Sequence, residues 1–388
     1  MRPILRYGRA ALLASGALGF IGIGLFLVSL AVPVRVWRTG ELPTMPIPVE
    51  PGRPFSITPI RVWIDTDAAC GQGRRTDPDD CLAIFLLAQQ DGVEIVGVST
   101  VFGNASLRDT DQTTRALMAA MEQDEHHAAL VYRGSSEPLA EEASVGTASL
   151  RDAHAMLRSA LEEGPLTLVA LGPLTNIAIA LERRPRLQGN VTRLIAVMGR
   201  RKGHVFHPVE GATAHSFLGH GPVFRDFNFT KDEEAAVAVV AMGLPMTLVP
   251  YEAARDIKVG PADLDRMVER GGAAAWVAQR TRQWLAYWRE DIGREGFYPF
   301  DLIAAAYVAQ PSLLRCADVS VSVDNDTWVF GWLGFRGLFV VSSEEPASNP
   351  IVTGPATYCP GVAEELEGWL SKHLTEGTSP LWRQGRES

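Results

Sequence analysis

Hydrophobic and polar positions follow two rhythms along most of this chain, short apolar runs and longer helical stripes. Val62–Ile64, Val93–Val101, Leu166–Ala170, Thr192–Met198 and Pro245–Pro250 have the length and content of buried strands. Between them stand helical patterns over Asp79–Gln90, from about Arg108 to Gln123, and from near Leu174 onward. The alternation predicts an α/β fold: an open, mostly parallel, Rossmann-like sheet with helices on both faces. A later run, Val319–Val323, and a hairpin pattern over Thr327–Ser342 around Gly331 and Gly334–Gly337 close the series. Trp276, Trp284 and Trp288 recur at helical spacing within Ala275–Glu290, a stripe that predicts core packing.

The beginning of the chain breaks this pattern. Residues 1–9 carry Arg2, Arg6 and Arg9, and residues 10–32 are almost uninterruptedly apolar. A run of about 23 residues is long enough to cross a bilayer as one N-terminal transmembrane helix. The alternative is a signal peptide cut after Ser29-Leu30-Ala31, whose apolar region is ordinarily shorter. The arginines ahead of the span favour a cytoplasmic N-terminus, while Arg35 and Arg38 behind it pull the other way. With that orientation the body is membrane-anchored and extracytoplasmic, periplasmic or on the cell surface. Residues 33–59 are proline-rich and read as an extended spacer. Residues 60–375 read as the folded domain, and 376–388 as a polar tail.

Composition narrows the function. A chain of 388 residues, 46% hydrophobic and 21% charged, buries a sizeable core. A net charge of -9, with no basic stripe, speaks against a nucleic-acid binder. Cys70, Cys81, Cys316 and Cys359 allow two bridges in an oxidising compartment. A Cys70–Cys81 bridge would pin a loop in an acidic motif, but Cys81 reads equally well as a small buried helix residue. No CxxC or paired His/Cys spacing occurs, which speaks against zinc.

That acidic motif is the candidate chemistry. An apolar run ends in Asp65 and Asp67, and a Gly/Arg-rich excursion then delivers Asp77, Asp79 and Asp80 to a helix start. Carboxylates gathered at a strand–helix junction need a positive partner, and a hard divalent cation with oxygen ligands is the natural one. Otherwise Asp79 merely caps the helix and the rest are solvated loop acids. Asp65, Asn104, Gly172 and Met198 fall at or just past strand ends, where such sheets bind ligands.

Asp65-Thr66-Asp67 followed by Asp79-Asp80 resembles the DTDPGxDDA signature of the nucleoside hydrolase family, inosine–uridine preferring type. In order, Val98–Ser106 (VSTVFGNAS), Arg133-Gly134, Leu171–Ile177 (LGPLTNI), Met198-Gly199, Asp226-Phe227-Asn228 and Phe300-Asp301-Leu302 are similar to further family segments. The resemblance covers roughly Arg61 to Pro311. It implies a bound calcium ion held by Asp67, Asp80, Asp301 and the backbone carbonyl of Thr175, an oxygen set that suits a hard ion. It implies hydrolysis of an N-ribosidic bond, a ribonucleoside or related riboside giving ribose and base, with Asp67 as the base that takes a water proton. Asp79, Asn104, Asp226 and Asn228 would hold the sugar hydroxyls. The family often forms dimers or tetramers, so the resemblance leaves a homo-oligomer open.

The chain also departs from that pattern. The family's Pro-Gly turn is replaced by the insertion Ala68–Pro78, where Asp77 offers itself as a substitute ligand. The EFN segment becomes Asp226-Phe227-Asn228, one methylene shorter. The His that protonates the leaving base is Phe300 here. His215 and His220 lie in the Gly/His-rich loop Gly203–Gly221, and His220 is the candidate acid, unless both are solvated loop residues. Phe300 and the insertion also permit a weak or inactive membrane-anchored riboside-binding protein of the same fold. Asp65-x-Asp67 suits a haloacid-dehalogenase-type phosphatase too, but that reading leaves LGPLTN and Asp301 unexplained.

Overall fold

The computed structural model describes residues 49–55, 59–121, 130–142, 152–201, 226–328, 333–341, 347 and 349–376. The apolar run 10–32 and the histidines at 215 and 220 lie outside them. Among the described residues no helix is long and apolar enough to cross a membrane.

Ten strands form one sheet: β1 (Glu50–Pro51), β2 (Ile60–Thr66), β3 (Val93–Thr100), β4 (Val131–Arg133), β5 (Leu166–Ala170), β6 (Val191–Ala196), β7 (Met246–Leu248), β8 (Leu314–Trp328), β9 (Leu333–Val341) and β10 (Val352–Val362). Their order is β1-β8-β10-β7-β6-β5-β2-β3-β4, with β9 paired to β8. From β4 to β10 every pairing is parallel. β2 lies between β3 and β5 with both faces covered, and its centre, Val62–Ile64, is accordingly apolar.

The sheet is mostly parallel, as expected, and its other end adds an antiparallel edge. β8 runs antiparallel to β10, and β9 and β1 run antiparallel to β8. The run Val319–Val323 is thus the middle of a 15-residue strand, and the hairpin begins well before Thr327. A hairpin needs only a tight turn and no crossover helix, so the helix–strand alternation stops there.

The spacer boundary also moves. Glu50 and Pro51, read as linker, pair with Cys316 and Arg315, and Gly52 N–H donates to the Leu314 carbonyl at 2.9 Å. Phe55 packs edge-on against Tyr307 and lies under the Arg193 guanidinium at 5.0 Å. A short edge strand is where a sheet accepts proline.

Helices α1 (Asp79–Leu87), α2 (Leu107–Met121), α3 (Ala153–Glu163), α4 (Thr175–Leu181), α5 (Phe227–Lys231), α6 (Gly272–Tyr287) and α7 (Phe300–Ala309) are those that bear on the site. α1 is buried on every side, as its sequence DDCLAIFLL requires, and α7 packs along it. One core layer joins Ile64, Leu82, Ile84 and Ile303; the other joins Leu157, Leu168, Ile177 and Leu194 across the sheet. The tryptophan stripe is core packing: Trp284 and Trp288 are buried and meet edge-on, and Trp276 lies under the Arg280 guanidinium.

Both disulfides form, Cys70–Cys81 and Cys316–Cys359. Cys81 is therefore both a bridge partner and a buried helix residue.

Candidate active site

Asp65 and Asp67 stand at the carboxyl end of β2, Asn104 just beyond β3, Gly172 beyond β5 and Met198 beyond β6. α1 and α7 both start at this end, which carries Asp79, Asp80 and Asp301 to the same place. Chain segments far apart in sequence thus converge where an open α/β sheet binds its ligand.

The carboxylates interlock. Asp80 Oδ1 accepts from Thr66 Oγ1 and from the Asp67 N–H, the latter at 3.2 Å. Asn104 donates its backbone N–H to Asp67 Oδ2 at 2.8 Å, and its amide Nδ2 to Asp67 Oδ1 and Asp80 Oδ2 at 3.3 and 3.2 Å. Asp79 Oδ2 accepts the Asp301 N–H at 2.9 Å. Oxygens of Asp79, Asp80 and Asp301 all lie within 4.8 Å of one another. Glycine makes room for Asp67: a Cβ at residue 103 would fall 1.8 Å from its Oδ2, and one at residue 172 would fall 3.2 Å from its Cγ.

Burial and mutual repulsion weaken these acids. Asp67, Asp79, Asp80 and Asp301 are each at most 4% exposed, and none has an ion-pair partner among the described residues. Burial, then the Asp80 charge, holds the Asp67 carboxyl well above the usual range. Burial, then the Asp79 charge, raises Asp80 to about 7. Asp301 is raised well above its ordinary value by burial and then by Asp79 and Asp80. An all-oxygen donor set, buried and without an ion-pair partner among the described residues, fits a hard divalent ion.

Asp77 has a different task. It is half-buried, and its Oδ1 accepts the Asp79 N–H at 3.2 Å, tying down the first turn of a helix that has no side-chain cap at Pro78. Asp65 stands behind the cluster. Its Oδ1 accepts from Ser99 Oγ and from Asn176 Nδ2 at 2.7 Å, while its Oδ2 is buried without a partner among the described residues. Burial, opposed by those two hydrogen bonds, raises it to about 7. Asn176 is itself oriented by the Ser135 N–H at 2.8 Å and by His154 Nε2 at 3.0 Å.

Three expected site residues also have protein partners. The Thr175 hydroxyl donates to Asp232, and the residue opens α4. On the same segment the Leu171 carbonyl accepts from Asn228 Nδ2 at 2.7 Å. Asp226 caps α5: its carboxylate takes the Phe229 N–H at 3.3 Å and the Gly199 N–H at 2.7 Å. Asn228 spends its Nδ2 on the Leu171 and Val197 carbonyls. Phe300 heads α7 beside Asp301 and packs on the core.

Thr66, Ser99 and Asn176 support the acids, a role that the sequence alone does not assign. Asn176 had a visible signal, since it ends the LGPLTN wording; Ser99 had none, being one of many small polar residues at strand ends.

The family model for inosine-uridine preferring nucleoside hydrolase matches residues 62–350. The chain belongs to that family. It is an N-glycosyl hydrolase, acting on the N-glycosidic bond of ribonucleosides. The match runs past Pro311 and takes in the antiparallel hairpin. Uridine nucleosidase 1 of Arabidopsis thaliana is 28% identical over 325 residues, 76% of this chain and 92% of that protein. Pyrimidine-specific ribonucleoside hydrolase RihB of Escherichia coli O1:K1 / APEC is 24% identical over 320 residues, 76% of this chain and 96% of that protein. A solved plant nucleoside hydrolase, PpNRh1, shares the fold with a TM-score of 0.63 at 20% identity, covering 82% of this chain and 99% of its own. The Bacillus anthracis inosine-uridine preferring enzyme does so with a TM-score of 0.56 at 18% identity, covering 82% and 99%.

Proposed function

We propose that this family member is a calcium-dependent ribonucleoside hydrolase, membrane-anchored and working outside the cytoplasm. The observation that carries the chemistry is the buried group Asp67, Asp79, Asp80 and Asp301 without an ion-pair partner among the described residues. Asp67, Asp80, Asp301 and the backbone carbonyl of Thr175 would hold the ion. When bound, calcium supplies positive charge that keeps the acids ionised, lowers the pKa of a water and accepts ribose hydroxyls.

The protein's own groups do the rest. Asp67, held by Asn104 on both its oxygens, takes the proton of the attacking water. The water oxygen bonds to C1′ as the C1′–N bond breaks and its electron pair leaves with the base. Asp79, Asn104 and Asn228 line the end of the sheet where the sugar hydroxyls would be gripped. Phe300 gives the leaving base no proton, and His220 is the donor we propose. The apolar run 10–32 and the two disulfides support an anchored domain in an oxidising compartment.

Phe300 favours one other reading, a riboside-binding protein with little turnover. The test is ribose release from a panel of ribonucleosides and from p-nitrophenyl riboside, whose leaving group needs no acid, in calcium and in chelator. Turnover confined to calcium supports the enzyme. Stoichiometric calcium without turnover of any substrate supports the binding protein.

A further inference from the structure

The geometry points to the Cys70–Cys81 disulfide as a positioning element of the metal site, holding the end of β2 and the start of α1 where Asp67 and Asp80 share one cation. The inference rests on the metal reading above. Cys70 follows Asp67 by three positions and Cys81 adjoins Asp80, so the bridge joins the two ligand-bearing segments directly. The connection it closes is Ala68–Pro78, where the family signature has the three residues Pro-Gly-x. A longer connection constrains its ends less, and a crosslink across eleven positions restores that constraint.

Something must hold these ends. α1 starts at Pro78 with no side-chain cap and two acids in its first turn. Without a cation, like charges on Asp67, Asp79, Asp80 and Asp301 drive β2, α1 and α7 apart. The insertion's remaining contacts hold its tip. Gln72 Nε2 donates to Thr113 at 2.9 Å, and Arg74 pairs at 2.6 Å with Glu290 and Asp291. The Arg74 side chain is 45% exposed, so those pairs add little rigidity. Both cysteines, by contrast, are buried in the core with Ala68 and α1.

Calcium titration calorimetry of the chelator-stripped full chain tests this, with circular dichroism as the check on folding. Cys316–Cys359 is the internal control, because it joins β8 to β10 in the other half of the sheet. The C70A/C81A protein is expected to bind calcium at least about tenfold more weakly than wild type, the scale of losing a supporting group behind a metal ligand. C316A/C359A should bind as wild type does. Replacing residues 68–77 by Pro-Gly, with Pro78 kept before Asp79, in a C81A background should return the affinity to within about threefold of wild type.

Wild-type affinity in C70A/C81A overturns the proposal, as does equal weakening in the control variant. Should C70A/C81A not fold, the short-turn variant decides: affinity near wild type supports the proposal, and a tenfold loss overturns it. Wild-type protein that binds no calcium overturns the metal reading itself, a failure distinct from the others.

Discussion

The backbone N–H of Asp301 donates to Asp79 Oδ2 at 2.9 Å, joining residues 222 positions apart and fastening the start of α7 to the start of α1. Both residues lie in first turns, where helix N-termini offset part of their negative charge. That offset does not return them to ordinary acidity, since both remain raised, burial being the largest cause.

Removing one charge therefore acts in opposite directions with and without metal. In chelator, Asp301→Asn relieves repulsion, and its melting temperature should rise by roughly 2–4 °C. In saturating calcium the variant should melt below wild type, having lost a ligand. Differential scanning fluorimetry in the two buffers reads both signs, and a variant less stable in chelator contradicts the account.

The same acids set a pH dependence. Asp65 and Asp80 lie near 7 in the fold against an ordinary 3.8, so between those values the folded state holds protons that the unfolded chain has released. Their stabilising contribution is complete below about pH 4 and is lost as pH rises through 7. The contribution is read as the difference in melting temperature between wild type and Asp80→Asn in chelator. It should move against wild type from pH 4 to 7 and then level off.

Gly103→Ala puts a methyl group where Asp67 Oδ2 lies, 1.8 Å from the new carbon. Asp67 must shift, and kcat/KM should fall by about a hundredfold or more with calcium affinity reduced alongside. Steady-state kinetics and calorimetry on one preparation check this. Unchanged values would mean that Asp67 does not work from the position described.

Phe300→His restores a titratable group at the head of α7. Turnover of ribonucleosides should rise by about ten- to a hundredfold, within the range of general acid catalysis, while p-nitrophenyl riboside hydrolysis stays level. An equal gain on both substrates would point to altered binding, not to proton donation.

The acids were legible because carboxylates at a strand end and a helix start are costly and seldom accidental, and the β2-to-β7 parallel core because buried strands read as apolar runs. Thr175 shows the limit. A backbone carbonyl leaves no trace in residue type, so only the resemblance names that position. Asp226 is ambiguous for another reason, because aspartate before a helix serves equally as a cap or as a sugar contact. The antiparallel β8–β10 edge was hidden because its long strand shows only a short central apolar run.

The central claim is that Asp67, Asp80 and Asp301 hold a cation on which ribonucleoside hydrolysis depends. It is tested most directly by ribose release from a ribonucleoside in protein stripped by chelator and then titrated with calcium, with Asp67→Ala beside it. The account predicts turnover that vanishes on stripping, returns at about one calcium per chain and never appears in the variant. Full turnover from protein shown by elemental analysis to hold no metal, or from Asp67→Ala, would contradict it.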